Sequence, residues 1–482
     1  MRMRRKWAAL AVTVVAVAGS VVVAGPAAAA SASGVHQADF NGDGYNDLVT
    51  SAPAATIGGK SGAGYVAVVP GGANGLVTAQ RKVFSQATVG VPGDPETEEW
   101  FGYSLATGDF NADGFSDLAV GTPYDRTATV AVNQAPGSVT VLFGSPAGLV
   151  KAARVMGAAK QLGLDVVAAD MDGDGRPEVV ASEYRLYPDG GLRRFIVPKG
   201  GTTLTRTADY TTFGAYGLAA GDVDGDGRDE VVAQFGSLGN MPMLGVFHGG
   251  KLSDSSAWWP ASSGMGGSNA AVGDLDKDGK AEIVIGRPNA SWYAPGGDVT
   301  IWKGRTGGIA DEPDRIITQT TAGVPGAAED GDGFGTSVAL GDLNGDGHLD
   351  LAVGAGREDN GTVVDGGSVT VLRGSATGIV TATGGVVLTQ NSTGVPGATE
   401  ARDQFGSAVS LVDFTKDGKA ELTVSSYGEN NSAVEWPYYG DGVVNVLRGT
   451  ATGIGTTGGL SLSAGTFGTN PGGSPFGWAV TR

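Results

Sequence analysis

Asp39–Thr50 reads DFNGDGYNDLVT, and its oxygen-bearing residues recur at every second place. Asp39, Asn41 and Asp43 occupy relative positions 1, 3 and 5, Tyr45 is position 7, and Asp47 is position 9. A solvated turn needs a glycine and one Asn, not five positions in register. A hard cation such as Ca2+, which takes six to eight oxygens at about 2.3–2.6 Å, does need such a frame. Side chains 1, 3 and 5 turn inward, the peptide oxygen of position 7 joins them, and the acid at 9 closes the shell. Gly42 and Gly44 permit the tight backbone path.

The frame occurs seven times. The second copy supplies Asp109, Asn111, Asp113, Phe115 and Asp117, and the third Asp170, Asp172, Asp174, Arg176 and Glu178. The fourth has Asp222, Asp224, Asp226, Arg228 and Glu230, and the fifth Asp274, Asp276, Asp278, Lys280 and Glu282. Asp342, Asn344, Asp346, His348 and Asp350 form the sixth, then Asp413, Thr415, Asp417, Lys419 and Glu421 the seventh. Residue 7 contributes its carbonyl in each. Up to seven Ca2+ ions are expected, with the weakest site at Thr415, whose hydroxyl is a poorer ligand than a carboxylate. The closing acid at 9 instead of 12, and flanking β-like runs instead of helices, exclude an EF-hand.

Arg2, Arg4, Arg5 and Lys6 precede an apolar run from Trp7 to Val23 and a small-residue tail, AGPAAAASAS. This pattern predicts a secretory signal peptide over 1–30, with cleavage after Ala30 or Ala32. The chain has no cysteine, so a secreted product must rely on core and metal rather than disulfides. An alanine-rich leader, high glycine and absent cysteine suit a bacterial exoprotein. The net charge of −18 becomes −22 without the four leader cations. That charge argues against nucleic acid and anionic membranes, and seven divalent ions would reduce it to about −8. No membrane insertion is expected after cleavage.

Loop starts lie 70, 61, 52, 52, 68 and 71 residues apart, a period suited to propeller blades. In the second repeat, FGYSLATGD predicts strand A, DLAVGTP strand B and GSVTVLFGS strand C. RKVFSQ, RIITQ and VVLTQ predict fourth strands in repeats one, five and six. No 3.6-residue period occurs outside the leader, so 31–482 reads as all-β. A solenoid would need capping repeats, whereas a ring closes on itself. PFGWAVTR at 475–482 restarts strand A and stops before a metal loop, while HQADFNGDG begins at one. The expected fold is a seven-bladed β-propeller with calcium-binding hairpin loops, closed by the C-terminal strand.

The FG start, the D-x-[DN]-x-D-G-x-x-[DE] loop and the following [LIV]-x-V-G-x-P run resemble the FG-GAP or VCBS repeat, and the chain is similar to the N-terminal propeller of integrin alpha subunits. The resemblance spans about 35–482. It implies seven blades with calcium between the first two strands. Integrins fill only some blades, whereas all seven loops are present here; the third and fifth repeats lack the leading Phe.

No G-x-S-x-G or H-E-x-x-H motif occurs. His36, His248 and His348 neighbour no nucleophile and read as structural. Glu96, Glu98 and Glu99, then Glu329 and Asp330, then Glu400 and Asp403, each follow a GVPG stretch; they read as one recurring solvated loop rather than a glycosidase pair. Loops between strands B and C carry Trp292, Tyr293, Trp436, Tyr438 and Tyr439, large flat side chains suited to a glycan or protein. The expected function is a secreted, monomeric, calcium-binding adhesion or ligand-binding propeller. The alternative is an extracellular polysaccharide lyase or hydrolase on the same scaffold.

Overall fold

Valine-rich segments between glycine turns form seven sheets, plus one small hairpin, in the computed structural model. The structure describes residues 38–126, 130–157, 161–183, 190–212, 215–235, 243–248, 251–252, 269–288, 296–429, 440–455, 457–469 and 475–481. The leader and His36 lie outside these residues. So do all five aromatics expected to bind a ligand: Trp292, Tyr293, Trp436, Tyr438 and Tyr439.

Blades 2 to 7 are antiparallel meanders, with strands A to D in chain order. Blade 2 contains Ser104–Gly108, Asp117–Thr122, Ser138–Phe143 and Lys151–Met156. Blade 6 contains Phe334–Gly341, Asp350–Ala355, Ser368–Leu372 and Val386–Leu388. Blade 7 follows with Phe405–Val412, Glu421–Ser426, Val443–Leu447 and Leu460–Ser463. Blades 3, 4 and 5 open with Leu162–Ala169, Ala215–Gly221 and Ala270–Gly273. Helix is confined, among the described residues, to 3-10 turns such as Thr78–Gln80.

Burial sits between blades. Each of seven hydrophobic clusters joins one blade to the next, from Phe101 with Val49 and Leu118 to Phe476 with Leu48 and Val444. The remaining five join blades 2 through 7 in succession. A fully buried large apolar side chain contributes roughly 1.5–3 kcal/mol, so a ring with every junction filled gains over an open stack.

The FG phenylalanines make these junctions. Phe101, Phe334 and Phe405 are wholly buried, each against a glycine that opens strand C of the preceding blade. A Cβ on Gly64 would meet the Phe101 carbonyl oxygen at 2.3 Å, and one on Gly137 the oxygen of Leu162 at 2.4 Å. Leu162 thus fills the slot where the third repeat lacks Phe. Gly442 of blade 7 faces Phe476 in the same way, at 2.3 Å from its backbone N and O.

Blade 1 has Leu48–Ala52, Tyr65–Val69 and Lys82–Phe84. Its remaining position is taken by the 477–481 segment. Gly477 N–H donates to Ser51 O (2.9 Å), Ser51 N–H to Ala479 O (3.1 Å) and Thr481 N–H to Val49 O (3.0 Å).

Because the strands alternate in direction, A-to-B hairpins emerge at one end, and B-to-C and D-to-A connections at the other. At the first end, neighbouring acidic loops are tied together. Ser116 N–H donates to Asp39 O, Asp229 to Asp170, Ala281 to Asp222 and Ala420 to Asp342; Asn46 Nδ2 reaches Asp413 O across the seam at 2.9 Å. The corresponding place in the third loop is Pro177, which has no N–H to give.

Candidate metal centres and binding face

The loop backbone is folded by its own carboxylates. Position 1 accepts the position-6 N–H in all seven copies, from Gly44 N to Asp39 Oδ2 (2.7 Å) through Gly418 N to Asp413 Oδ2 (2.8 Å). Position 9 accepts the position-2 N–H in all seven, as in Phe40 N to Asp47 Oδ2 (3.1 Å) and Phe414 N to Glu421 Oε2 (2.8 Å). Gly42 and Gly44 sit at φ 73° and 87°, and Lys277 and Lys416 carry the first of these turns at 60° and 58° without glycine.

The result is several like charges in a small volume. Oxygens of Asp170, Asp172 and Asp174 lie within 4.8 Å of one another; so do those of Asp222, Asp224 and Asp226, and of Asp274, Asp276 and Glu282. Asp274 Oδ1 and Glu282 Oε1 are buried without a hydrogen-bond partner. Burial, with the neighbouring carboxylates adding to it, pushes Asp47 up to about 7 and Asp117 to about 8. Glu230 rises to about 8 and Glu421 to about 7 for the same reasons. Convergent, partly orphaned, all-oxygen groups fit a hard divalent cation.

The loops differ in a way the spacing did not reveal. Arg194, on strand C of blade 3, contacts Asp172 Oδ2 (2.6 Å) and Glu178 Oε1 (2.7 Å), while Arg176 bonds Asp174 Oδ2 (2.7 Å). In blade 5, Lys303 reaches Asp276 at 2.6 Å and Asp278 at 3.4 Å. His248 is no bystander: its Nδ1 lies 3.4 Å from Asp224 and 3.1 Å from Glu230. A basic residue at or near the end of strand C is the signal for these partners. Thr415 Oγ1 donates to Asp413 Oδ1 at 3.2 Å.

At the opposite end, the solvated-loop reading of the post-GVPG acids is overturned for two of them. Glu99 and Asp403 are 0 % and 1 % exposed, because the chain turns them under the FG slot instead of outward. Burial first, then Asp125 and Glu96, push Glu99 to about 8. Sequence reasoning also missed their neighbours Gln86, Gln319 and Gln390, although FSQ, ITQ and LTQ end three D strands alike.

The same end carries an aromatic row absent from the expected set. Trp100 stacks on Tyr103 (5.7 Å, 17°) and meets Tyr124 edge-on (5.1 Å). Tyr103 meets Trp478 (5.4 Å), and Trp478 stacks on Tyr427 (5.5 Å, 15°). All five are half-buried. Tyr103 and Trp478 also line an axial cavity of about 130 Å³, walled by strand A residues such as Leu105, Val167 and Leu340.

Fold and loops together define a β-propeller with acidic, metal-compatible hairpin loops. The FG-GAP repeat model matches 31–69, 101–142, 266–302, 334–372 and 405–447. Phosphatidylinositol-glycan-specific phospholipase D of Rattus norvegicus is 37% identical over 165 residues, covering 33% of this chain and 19% of that protein. Integrin alpha-5 of Xenopus laevis is 29% identical over 262 residues, 54% of this chain and 20% of the integrin. The chain is a seven-bladed β-propeller of integrin-like fold that matches the FG-GAP repeat over these segments, is homologous to these proteins and spans about a fifth of their length. Among solved structures, a putative 6-phosphogluconolactonase from Bacteroides uniformis aligns with TM-score 0.46 at 12% identity, covering 90% of this chain and 98% of that one. The rhamnogalacturonan lyase of Bacillus licheniformis gives 0.41 at 15%, covering 87% and 71%. Among the described residues, no helix is long and apolar enough to cross a membrane.

Proposed function

We propose that this chain is a secreted calcium-binding propeller that holds an extracellular glycan on the aromatic end of the ring. Up to seven Ca2+ ions occupy the A-to-B loops, through positions 1, 3, 5, 7 and 9, and rigidify the opposite end. Residues 1–30 are removed as a signal peptide, and the product is a monomeric bacterial exoprotein with its propeller over 31–482. The observation that carries the ligand reading is the continuous row Tyr124–Trp100–Tyr103–Trp478–Tyr427. Flat rings present large apolar faces at little entropic cost, and their polar tips meet hydroxyls. A glycan array followed by titration against Trp478→Ala and Trp100→Ala tests it. Binding that survives both substitutions in folded protein defeats the reading.

The second reading is an enzyme acting on a polysaccharide at that end. It draws on buried carboxyls beside the row, with Glu99 raised to about 8 and Asp403 to about 7 by burial and neighbouring acids. The relative most identical over its matched segment among those compared above also carries an enzyme's name, at 37% against 29% for the integrin. Product release from acidic polysaccharides, lost in Glu99→Gln, would establish this reading over the first.

A further inference from the structure

Adjacent acidic loops meet in the same way at four joints. The following loop places its position-7 side chain over the position-4 glycine of the loop before. A Cβ on Gly42 would lie 2.6 Å from Phe115 Cε1, and one on Gly173, Gly225 or Gly345 would lie 3.1 Å from Cγ of Arg228, Lys280 or Lys419. At the same four joints the position-8 N–H donates to the position-1 carbonyl of the loop before, over 2.7–2.9 Å. The donors are Ser116, Asp229, Ala281 and Ala420. Each stands between position 7 and the position-9 acid of its own frame, and each acceptor belongs to a position-1 aspartate. One short hydrogen bond thus ties two candidate ligands of one loop to a third in its neighbour.

The other three joints lack that glycine, with Ala112, Lys277 and Lys416 at position 4. The seam between the seventh and first loops keeps a substitute tie, Asn46 Nδ2 to Asp413 O at 2.9 Å. The remaining two joints keep none. Pro177 has no N–H to give, and Leu349 makes no such bond to Asp274.

Both untied joints have a bulky apolar residue at position 8, packed on the glycine before position 1 of the neighbouring loop. A Cβ on Gly108 would lie 2.7 Å from Pro177 Cγ, and one on Gly273 would lie 2.8 Å from Leu349 Cδ1. At the tied joint of the fourth and fifth loops, the position-8 side chain of Ala281 comes only to 3.8 Å from the same place on Gly221. Blade 3 does touch the second loop through its C-to-D turn, Gly200 N to Asn111 O at 2.6 Å. That turn carries no ligand of the third frame.

We propose that calcium fills the loops as two cooperative arcs, the third to fifth and the sixth, seventh, first and second, with independent binding across the joints at Pro177 and Leu349. The inference rests on the calcium reading above. Ordering a loop around its ion fixes its position-1 peptide and its segment from 7 to 9. Through the tie, that ordering extends to part of the neighbouring frame, so the next ion meets a smaller ordering cost. Coupling of this kind is reciprocal. At Pro177 and Leu349 no ligand-bearing segments are bonded to each other, and the ordering stops there.

Calcium titration of the full chain, followed by NMR on isotope-labelled glycine amides, tests this. The position-6 amides report each loop separately, because Gly44, Gly114 and Gly175 donate to the position-1 carboxylates of the first, second and third loops. The second loop has a tied neighbour in the first and an untied one in the third. Asp43→Ala and Asp174→Ala remove the same position-5 charge from these two neighbours. Asp43→Ala is expected to raise the calcium midpoint at Gly114 about fivefold or more, and Asp174→Ala to leave it within about twofold. Should Asp43→Ala not fold, Ser116→Pro copies Pro177, keeps every ligand and removes the tie. It should weaken the loops of Gly44 and Gly114 together and spare that of Gly175. An equal response of Gly114 to both alanine substitutions, or unchanged midpoints at Gly44 and Gly114 in Ser116→Pro, overturns the arcs and leaves calcium binding standing. A Gly114 amide that ignores calcium in the wild type overturns the calcium reading itself, and the arcs with it.

Discussion

Trp478 stacks on Tyr427 across the seam of the ring, ring centroids 5.5 Å apart and planes 15° apart. The Tyr427 hydroxyl donates to Trp478 O at 2.6 Å, and the indole Nε1 donates to Tyr103 O at 3.1 Å. One residue therefore joins blades 7, 1 and 2 and continues the aromatic row. Seam and proposed binding face are the same few residues, so closure and recognition are coupled here.

The seam can be opened two residues away from the row. Phe476 is fully buried against Phe467 and faces Gly442. Phe476→Ala is expected to cost about 3–5 kcal/mol, as large core aromatics do. Removing 476–482 goes further and leaves Leu48–Ala52 as an exposed edge, with aggregation expected. Thermal melts and light scattering measure both. A truncated protein as stable and monodisperse as the full chain would contradict closure by this segment.

Metal removal should be felt throughout the ring, because loop is tied to loop through Asp39, Asp170, Asp222 and Asp342 carbonyls. Ligand that binds only the folded state stabilises it by mass action. EDTA is expected to lower Tm, and Ca2+ to restore it. Mg2+ should restore it poorly, since it demands a tighter octahedral shell. Calorimetry after verified demetallation decides; no change in Tm removes calcium from the account.

How much was legible beforehand follows from where each signal lives. The acidic loops, the strands and the seven-fold ring were readable because each is a local pattern repeated along the chain. Leu162 replacing Phe in the third repeat cost nothing, since the slot asks only for an apolar side chain in the core between blades 2 and 3. What escaped was contact between repeats. Arg194 reaches Asp172 over 22 residues, and Gln319 reaches Glu358 over 39. Neither has a spacing rule, and Glu99 looked solvated because composition carries no information on burial.

Stability without calcium should fall as pH rises. Asp47 and Asp117 have folded values near 7 and 8 against 3.8, and Glu230 and Glu421 near 8 and 7 against 4.5. The folded state thus binds more protons than the unfolded one between these limits. Its stabilisation is present below the unfolded values and lost as pH climbs through the folded ones. In EDTA, Tm at about pH 5 should exceed Tm at about pH 8, while saturating Ca2+ should remove that decline and its binding should release protons. A chelated protein that gains stability over this window would show that these acids are ionised in the fold without metal.

Arg194 sets up the last test. Its guanidinium holds Asp172 Oδ2 and Glu178 Oε1, two oxygens of the third loop's metal frame. Ca2+ must displace it or share those oxygens, so Arg194 is an internal competitor as well as a counterion. Hydrogen bonds to charged groups contribute about 1.5–3 kcal/mol. Arg194→Gln is therefore expected to tighten calcium at this loop about tenfold, equivalent to about 1.4 kcal/mol. The sign of the stability change should then depend on metal. In chelator the variant leaves Asp172 and Glu178 unneutralised and melts lower than wild type. In saturating calcium that deficit should shrink or reverse. Thr415→Ala serves as the reference, because its hydroxyl already donates to Asp413 and its loss should weaken the seventh loop only modestly. Calcium titration followed by differential scanning calorimetry reads both quantities. Equal calcium affinity in Arg194→Gln and wild type would mean that the third loop binds its ion without disturbing the arginine.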